Sequence, residues 1–199
     1  MRTGRVEAFS DGVFAVAITL LVLDLHIPAT TGSLIAALAD EWPAFAAFAI
    51  SFLVIGIVWV NHHTLFHLLS HVDRVLLFIN LGLLMSIVLI PFVTALFADH
   101  VAKGGSQASV AGVLYNAAML LMGAGFQSSV LWVSHHHGLL REQLRPLTRA
   151  QLLRYGVGPI VYLACIPLSF WNPVVVLLID AVVAVYYIFD QASVTAEEG

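Results

Sequence analysis

The fold is decided by residues 5–25, which read RVEAFSDGVFAVAITLLVLDL. Between Asp11 and Asp24 every side chain is apolar or small except that of Thr19, which carries a hydroxyl. An α-helix needs about 20 mostly apolar residues to cross the hydrocarbon core of a bilayer. The stretch therefore predicts a transmembrane helix with a serine and a carboxylate in its first turns.

The composition of the whole chain agrees with a protein that lies in lipid. Of the 199 residues, 60% are hydrophobic and 10% are charged. A soluble domain carries about 45–50% apolar and about 25% charged residues. A surface that faces water on all sides needs more charged residues than this chain has. We therefore expect the lipid bilayer to cover much of the protein surface. The net charge of −4 excludes a general basic surface for nucleic acid.

Five further apolar segments are long enough to cross the membrane. They are residues 43–66, 74–97, 109–133, 152–170 and 173–189. Only Trp171 and Asn172 separate the last two, which predicts a tight helical hairpin. We expect an all-α polytopic membrane protein with six transmembrane helices, formed as one domain over residues 1–199.

The distribution of basic residues predicts how the helices are oriented. Lys and Arg are enriched in cytoplasmic loops of membrane proteins. With six spans and both termini inside, Lys103 is the single basic residue outside, and seven arginines lie inside. These are Arg2, Arg5, Arg74, Arg141, Arg145, Arg149 and Arg154. We therefore expect a cell-membrane protein with both termini in the cytoplasm.

A helical wheel divides the first predicted helix into two edges. At 100° per residue, one stripe with a single hydroxyl contains Val16, Thr19, Leu20 and Leu23. Apolar stripes are common in membrane helices, where they pack against lipid or another helix. Ser10 and Asp11 lie off this stripe and form a polar edge.

A carboxylate inside the membrane is costly and usually has a partner. We expect Asp11 to turn toward the inner ends of the second and third helices. The candidate partners there are Asn61, His62, His63, His67, His71 and Arg74. Tying helices together is the plainer interpretation of Asp11, and direct ion coordination is the alternative.

The residues of the first helix resemble a known signature. Arg5-x-x-x-Phe9-Ser10-Asp11, followed by GVFAVAITLLVLDL, is similar to the first helix of the lysosomal potassium channel family (transmembrane protein 175), in its prokaryotic branch. The similarity continues through WVNHHTLF at 59–66, NLGLL at 80–84 and PFVT at 91–94. After residue 105 it is mainly a similarity of hydropathy.

The resemblance implies a potassium-permeable cation channel without a re-entrant pore loop, in which the first helices line the pore. Prokaryotic members of the family have one six-helix repeat and assemble as homotetramers. Potassium would be the permeant ion, and no cofactor or enzymatic activity is expected. The potassium-filter sequence TVGYG, a phosphate loop and GxGxxG are all absent from the sequence.

The resemblance also implies roles for particular residues. The narrowest point in the family lies five positions after the signature aspartate, which is Val16 here in place of the usual isoleucine or leucine. Further apolar pore positions correspond to Leu20 and Leu23, and a position tied to selectivity corresponds to Thr19. The family's interhelical hydrogen-bond network corresponds here to Arg5, Ser10, Asp11, Trp59, His62 and His63. For Arg5, a place at the inner pore mouth is an equal alternative.

Two other functions compete with a channel. His63 and His67 lie four residues apart, and His135–His137 form a second run, so a histidine-box metalloenzyme is one rival. It is disfavoured because the second run lacks a partner box at helical spacing. A proton-coupled transporter is the other rival, because Asp180 lies near the middle of the sixth predicted helix. A hydrogen-bonded helix contact is the plainer interpretation of Asp180.

Overall fold

The computed structural model describes residues 2–25, 32–101, 103–141 and 149–197. Seven α-helices run through these ranges. They are α1 (Thr3–Leu20), α2 (Leu34–Asp40), α3 (Trp42–His67), α4 (Arg74–Val101), α5 (Gly105–His135), α6 (Arg149–Leu168) and α7 (Pro173–Glu197). Short 3₁₀ turns extend α1 over Leu21–Asp24 and follow α5 over His137–Leu139.

The predicted all-α membrane fold with six spans is confirmed. Four stretches are long and apolar enough to cross a bilayer, namely Thr3–Asp24, Trp42–His67, Arg74–Val101 and Gly105–His135. Two shorter apolar helices, Leu152–Leu168 and Pro173–Phe189, complete the set. The sequence did not predict α2, a helix of seven residues that is too short to show a clear hydrophobic period.

Small residues allow the central helices to approach closely. A Cβ atom at Gly125 of α5 would lie 3.1 Å from the Cα of Leu83 in α4. A Cβ atom at Gly123 would lie 2.9 Å from Pro159 Cγ in α6. Membrane helices pack through such small residues because the hydrophobic effect does not drive helices together in lipid. Helix α5 therefore lies between α4 and α6 in the core.

Helix α1 lies at the edge of this bundle. It packs against α3 and α4, whereas α7 contacts α3, α5 and α6. Its buried residues are Val6, Ser10, Phe14 and Ala17, which recur every three or four positions along one face. The opposite face of α1 is not covered by another helix of the described chain.

The loops at the end of the bundle that holds the α1 N-terminus are joined by backbone hydrogen bonds. The Ser70 amide donates to the Leu139 carbonyl at 2.8 Å, and the Arg141 amide donates to the Leu68 carbonyl at 3.0 Å. These bonds link the loop after α3 to the segment after α5. They hold the chain ends of those helices, where backbone groups would otherwise lack partners.

Asp73 fixes the start of α4 in the same region. Its Oδ1 accepts from the Leu76 amide at 2.7 Å, as an N-cap does, and its Oδ2 accepts from the Trp132 indole at 3.0 Å. Burial by itself would raise the pKa of Asp73, but these two hydrogen bonds, together with the nearby His136 and His71, stabilise the carboxylate more. The pKa of Asp73 therefore lies below its ordinary value.

Candidate functional site

The buried face of α1 is held by a polar network that crosses three helices. Asn80 of α4 donates from Nδ2 to Ser10 Oγ of α1 at 3.0 Å. The Oδ1 of Asn80 lies 2.9 Å from His62 Nε2 of α3. Because an amide oxygen can only accept, His62 Nε2 carries the proton and donates it. All three side chains are buried, so the network joins α1, α3 and α4 away from water.

Aromatic rings enclose the histidine of this network. The His62 ring stacks on Phe66 with centroids 4.2 Å apart and lies 5.5 Å from the ring of Phe14. The Nδ1 atom of His62 is buried and makes no hydrogen bond to any residue that the structure describes. His62 thus acts through a single polar contact inside an apolar site, which fixes its position.

Asp11 has a different partner from those expected for it. The indole Nε1 of Trp59 donates to Asp11 Oδ1 at 2.8 Å. Expecting a histidine, Asn61 or Arg74 as its partner was therefore wrong, although Trp59 belongs to the residue set that the resemblance implied. The indole reaches Asp11 because α3 runs antiparallel to α1 and brings Trp59 level with the third turn of α1.

Glu7 of α1 also contacts α3, and it was not among the residues predicted from the sequence. Its Oε1 lies 3.3 Å from His63 Nδ1 and 3.9 Å from His67 Nε2. The signal for it was present as matching helical spacing, since Glu7 and Asp11 are four apart on α1. Trp59, His63 and His67 repeat at the same interval on α3.

Arg5 stays outside these contacts. It is exposed, and no hydrogen bond or ion pair joins it to another described residue. It lines a shallow surface pocket together with Arg74 and Phe78 of α4. The structure therefore brings together Ser10, Asn80 and His62, and separately Asp11 with Trp59, but it leaves Arg5 apart.

The stripe of the helical wheel lies on the uncovered face of α1. Val16 is 57% exposed and Leu23 is 71% exposed, and Thr19 and Leu20 are also exposed. Leu23 lies in the 3₁₀ turn beyond the end of α1. The Thr19 hydroxyl lies 3.0 Å from the Ala15 carbonyl and 2.9 Å from the Val16 carbonyl. Its proton is thus directed to the backbone, and its oxygen remains accessible.

Asp180 is a further carboxylate within an apolar helix. It is fully buried in α7, and neither of its oxygens makes a well-formed hydrogen bond with the described residues. Asn116 of α5 faces it. The histidines of the second run are exposed, and His136 stacks on Trp132 with centroids 3.9 Å apart. His135 ends α5 and is helical.

Known proteins with similar sequences identify the family. The family described as "Endosomal/lysosomal potassium channel TMEM175" matches residues 5–91. A potassium channel of Streptomyces collinus is 40% identical over 200 residues, which cover 98% of this chain and 96% of that protein. The chain belongs to the TMEM175 family. The expectation from the first-helix signature is therefore confirmed.

Other TMEM175 relatives match over nearly the full length. A potassium channel of Chamaesiphon minutus is 37% identical over 93% of both chains. A crystal structure, that of a "lysosomal potassium-selective channel TMEM175 homolog" from the same organism, superposes with a TM-score of 0.81 at 35% identity. It covers 94% of this chain and 97% of that one. These TMEM175 relatives are ion channels and not enzymes.

Proposed function

We propose that this chain is the subunit of a potassium-permeable cation channel whose pore is lined by α1. The observation that carries the proposal is the contrast between the two faces of α1. One face is held by Asn80 and Trp59, while the stripe with Val16 and Leu20 faces away from its own subunit. The named relatives, which are potassium channels, supply the class of permeant ion.

The stripe has the chemistry of an apolar constriction. In a ring of subunits, Val16 and Leu20 would narrow the pore with alkyl groups. A narrow apolar pore expels water, so an ion that cannot shed its hydration shell does not pass. The Thr19 oxygen lies between these two levels and supplies a polar atom that replaces part of the hydration shell. Leu23 would form a second apolar level toward the outer end.

A pore of this kind requires several copies of the chain. One α1 cannot enclose a path, so the exposed stripe must meet copies of itself around an axis. We propose a homotetramer with closed rotational symmetry, in which four α1 helices surround the ion path. We propose that the channel lies in the cell membrane with both termini in the cytoplasm, and the distribution of Lys and Arg supports this orientation.

Bilayer recording of the reconstituted protein tests this proposal. Under potassium/sodium bi-ionic conditions, a reversal potential that follows the potassium gradient is expected, together with unitary currents. Val16→Ala and Leu20→Ala are expected to change conductance or selectivity. Val182→Ala, at an exposed position of α7, is the matched control and is expected to leave both unchanged. Unchanged conductance and selectivity in both α1 variants would contradict the proposed constriction.

A proton-coupled transporter is the second candidate, because Asp180 is fully buried in α7 and faces Asn116 of α5. The two candidates differ in electrical behaviour. A transporter gives a flux that is driven by a pH gradient and shows no unitary events. That flux would be lost in Asp180→Asn. Potassium-dependent unitary currents that persist in Asp180→Asn would exclude the transporter.

A further inference from the structure

The inner ends of α1 and α3 bring three potential metal ligands together. They are the Oε1 of Glu7, the Nδ1 of His63 and the Nε2 of His67, and all three atoms lie within 4.8 Å of one another. The carboxylate oxygen is 3.3 Å from the first imidazole nitrogen and 3.9 Å from the second. None of these residues belongs to the Ser10–Asn80–His62 network or to the apolar stripe.

These distances suit a small transition-metal cation. Zinc binds imidazole nitrogen and carboxylate oxygen at about 2.0–2.2 Å in tetrahedral geometry, which sets neighbouring ligand atoms about 3.3–3.5 Å apart. Of the three pairs, Glu7–His63 at 3.3 Å already lies within this range, Glu7–His67 at 3.9 Å exceeds it by a few tenths of an ångström, and the two imidazole nitrogens lie within 4.8 Å of each other. The His67 side chain, 57% exposed on the last turn of α3, would have to rotate toward the other two atoms on binding.

The burial of the Glu7 carboxylate also supports a cation site. The Oε1 atom of Glu7 is buried, and among the described residues it has no hydrogen bond of acceptable geometry. The Glu7 side chain is 17% exposed, whereas those of His63 and His67 are 46% and 57% exposed. Its contacts among the described residues are the two imidazole nitrogens at 3.3 and 3.9 Å, and a cation between these three atoms would satisfy the buried oxygen more fully. The half-exposed imidazoles leave a path for an ion to enter.

The two rings are arranged without blocking each other. His63 and His67 meet edge to face, with centroids 4.4 Å apart and planes at 83°. The His63 ring also stacks on Trp59, with centroids 6.0 Å apart and planes at 24°, so Trp59 restricts the orientation of His63. A histidine ligand that is oriented by a neighbour binds metal with less loss of rotational freedom.

We propose that Glu7, His63 and His67 form a binding site for a divalent transition cation of the zinc class. Water would occupy the fourth position, as in sites with two histidines and one carboxylate. The bound ion would join α1 to α3 one turn closer to the α1 N-terminus than the Asp11–Trp59 hydrogen bond. The site depends on contacts within one subunit, so it does not require the proposed pore.

The histidine run at the end of α5 needs a control, because His135, His136 and His137 are exposed and imidazoles bind zinc without a built site. Two sets of variants separate the sites. Glu7→Gln, His63→Gln and His67→Gln remove the proposed ligands one at a time. A combined His135→Gln, His136→Gln, His137→Gln variant removes the other histidines.

The experiment is calorimetric titration of the purified full chain in detergent with ZnCl₂, together with absorption spectra after addition of CoCl₂. One tight site per chain and the intense visible bands of four-coordinate cobalt are expected. Each single ligand variant should weaken binding by about tenfold or more and should lose the cobalt bands. The combined α5-end variant should keep both signals.

Three results would overturn the proposal. They are the absence of a tight site in the wild-type chain, its persistence in a Glu7→Gln, His63→Gln, His67→Gln combination, and its loss in the combined α5-end variant alone. Thermal unfolding without metal shows whether each variant is folded. His67→Gln lies at an exposed position of the last α3 turn, so it tests the site even if Glu7→Gln fails to fold.

Discussion

The two faces of α1 differ in the contacts that they make within the subunit. On the inward face, Ser10 is paired with Asn80 and Asp11 is paired with Trp59 within the subunit. The outward face shows Val16, Leu20 and Leu23 to whatever surrounds the subunit. One helix therefore carries a face that packs against helices of its own chain and a face that does not.

This difference explains how a pore can form without a dedicated pore loop. In the proposed channel, the constriction must keep its radius while ions pass. The anchoring bonds lie on the opposite side of the same helix, so they can hold the helix without occupying the ion path. Buried polar groups are costly when they are left unpaired, which gives the anchored face a defined position.

The largest expected effect comes from adding bulk to the outward face. Val16→Phe would place a ring from each subunit in the proposed pore, and the potassium current is expected to fall by about tenfold or more. Stability should change by less than about 0.5 kcal/mol because the position is exposed. Recordings and thermal unfolding measure the two effects. Val182→Phe is the control, and an equal loss of current there would contradict a special role of the stripe.

The next effect comes from breaking the buried network. Asn80→Ala leaves Ser10 and His62 without their shared partner, and it should destabilise the protein by about 1–3 kcal/mol. Thermal unfolding in detergent measures this loss. Ser86→Ala is a matched control on α4, because its hydroxyl bonds only to the Gly82 carbonyl of the same helix. If both variants unfold at the wild-type temperature, Asn80 does not anchor α1.

A smaller effect is expected at the half-exposed anchor. Asp11→Ala removes the acceptor of the Trp59 indole and should cost about 0.5–1.5 kcal/mol, because water partly replaces the bond. Asp11→Asn keeps an acceptor and should cost less. A double-mutant cycle with Trp59→Phe, read by chemical unfolding, isolates the contact. Strictly additive losses would show that the two side chains do not stabilise each other.

The smallest effect concerns the loop that positions α4, the helix that carries Asn80. Asp73→Asn keeps an N-cap acceptor but removes a carboxylate whose pKa is lowered on folding. A lowered pKa means that the charged form adds stability above the unfolded pKa, and that this is lost as the pH falls through the folded pKa. The difference in unfolding temperature between wild type and variant should therefore shrink below about pH 4. A constant difference from pH 7 to pH 3 would contradict this role.

Several elements of the fold were predictable because their physical cause is local. The six apolar stretches were recognisable since each must cover the bilayer core with nonpolar side chains. The division of the first helix into two edges follows from helical geometry, and the exposed and buried faces agree with it. Helix α5 extends beyond its predicted bounds because polar Ser134 and His135 continue the helix past the apolar run.

The partners of the site residues could not be predicted in the same way. Which side chain reaches Asp11 depends on the register of α3 against α1, and a shift of one turn would have exchanged Trp59 for His63. Glu7 was not predicted as a site residue because carboxylates are common near helix starts. Its role depends on the histidines of α3 that lie beside it only in the folded protein. Asn80 was recognised only as part of a similar stretch, without its link to Ser10.

The amino-acid sequence by itself determined that this protein lies in the membrane, that its first helix has a polar and an apolar edge, and that it resembles TMEM175 channels. Only the tertiary structure decided that Asn80 links Ser10 to His62, that Trp59 binds Asp11, and that Glu7 meets His63 and His67. The physical reason is that hydropathy and helical period act within a segment. Contacts between segments depend on how close-packed helices align along their whole length.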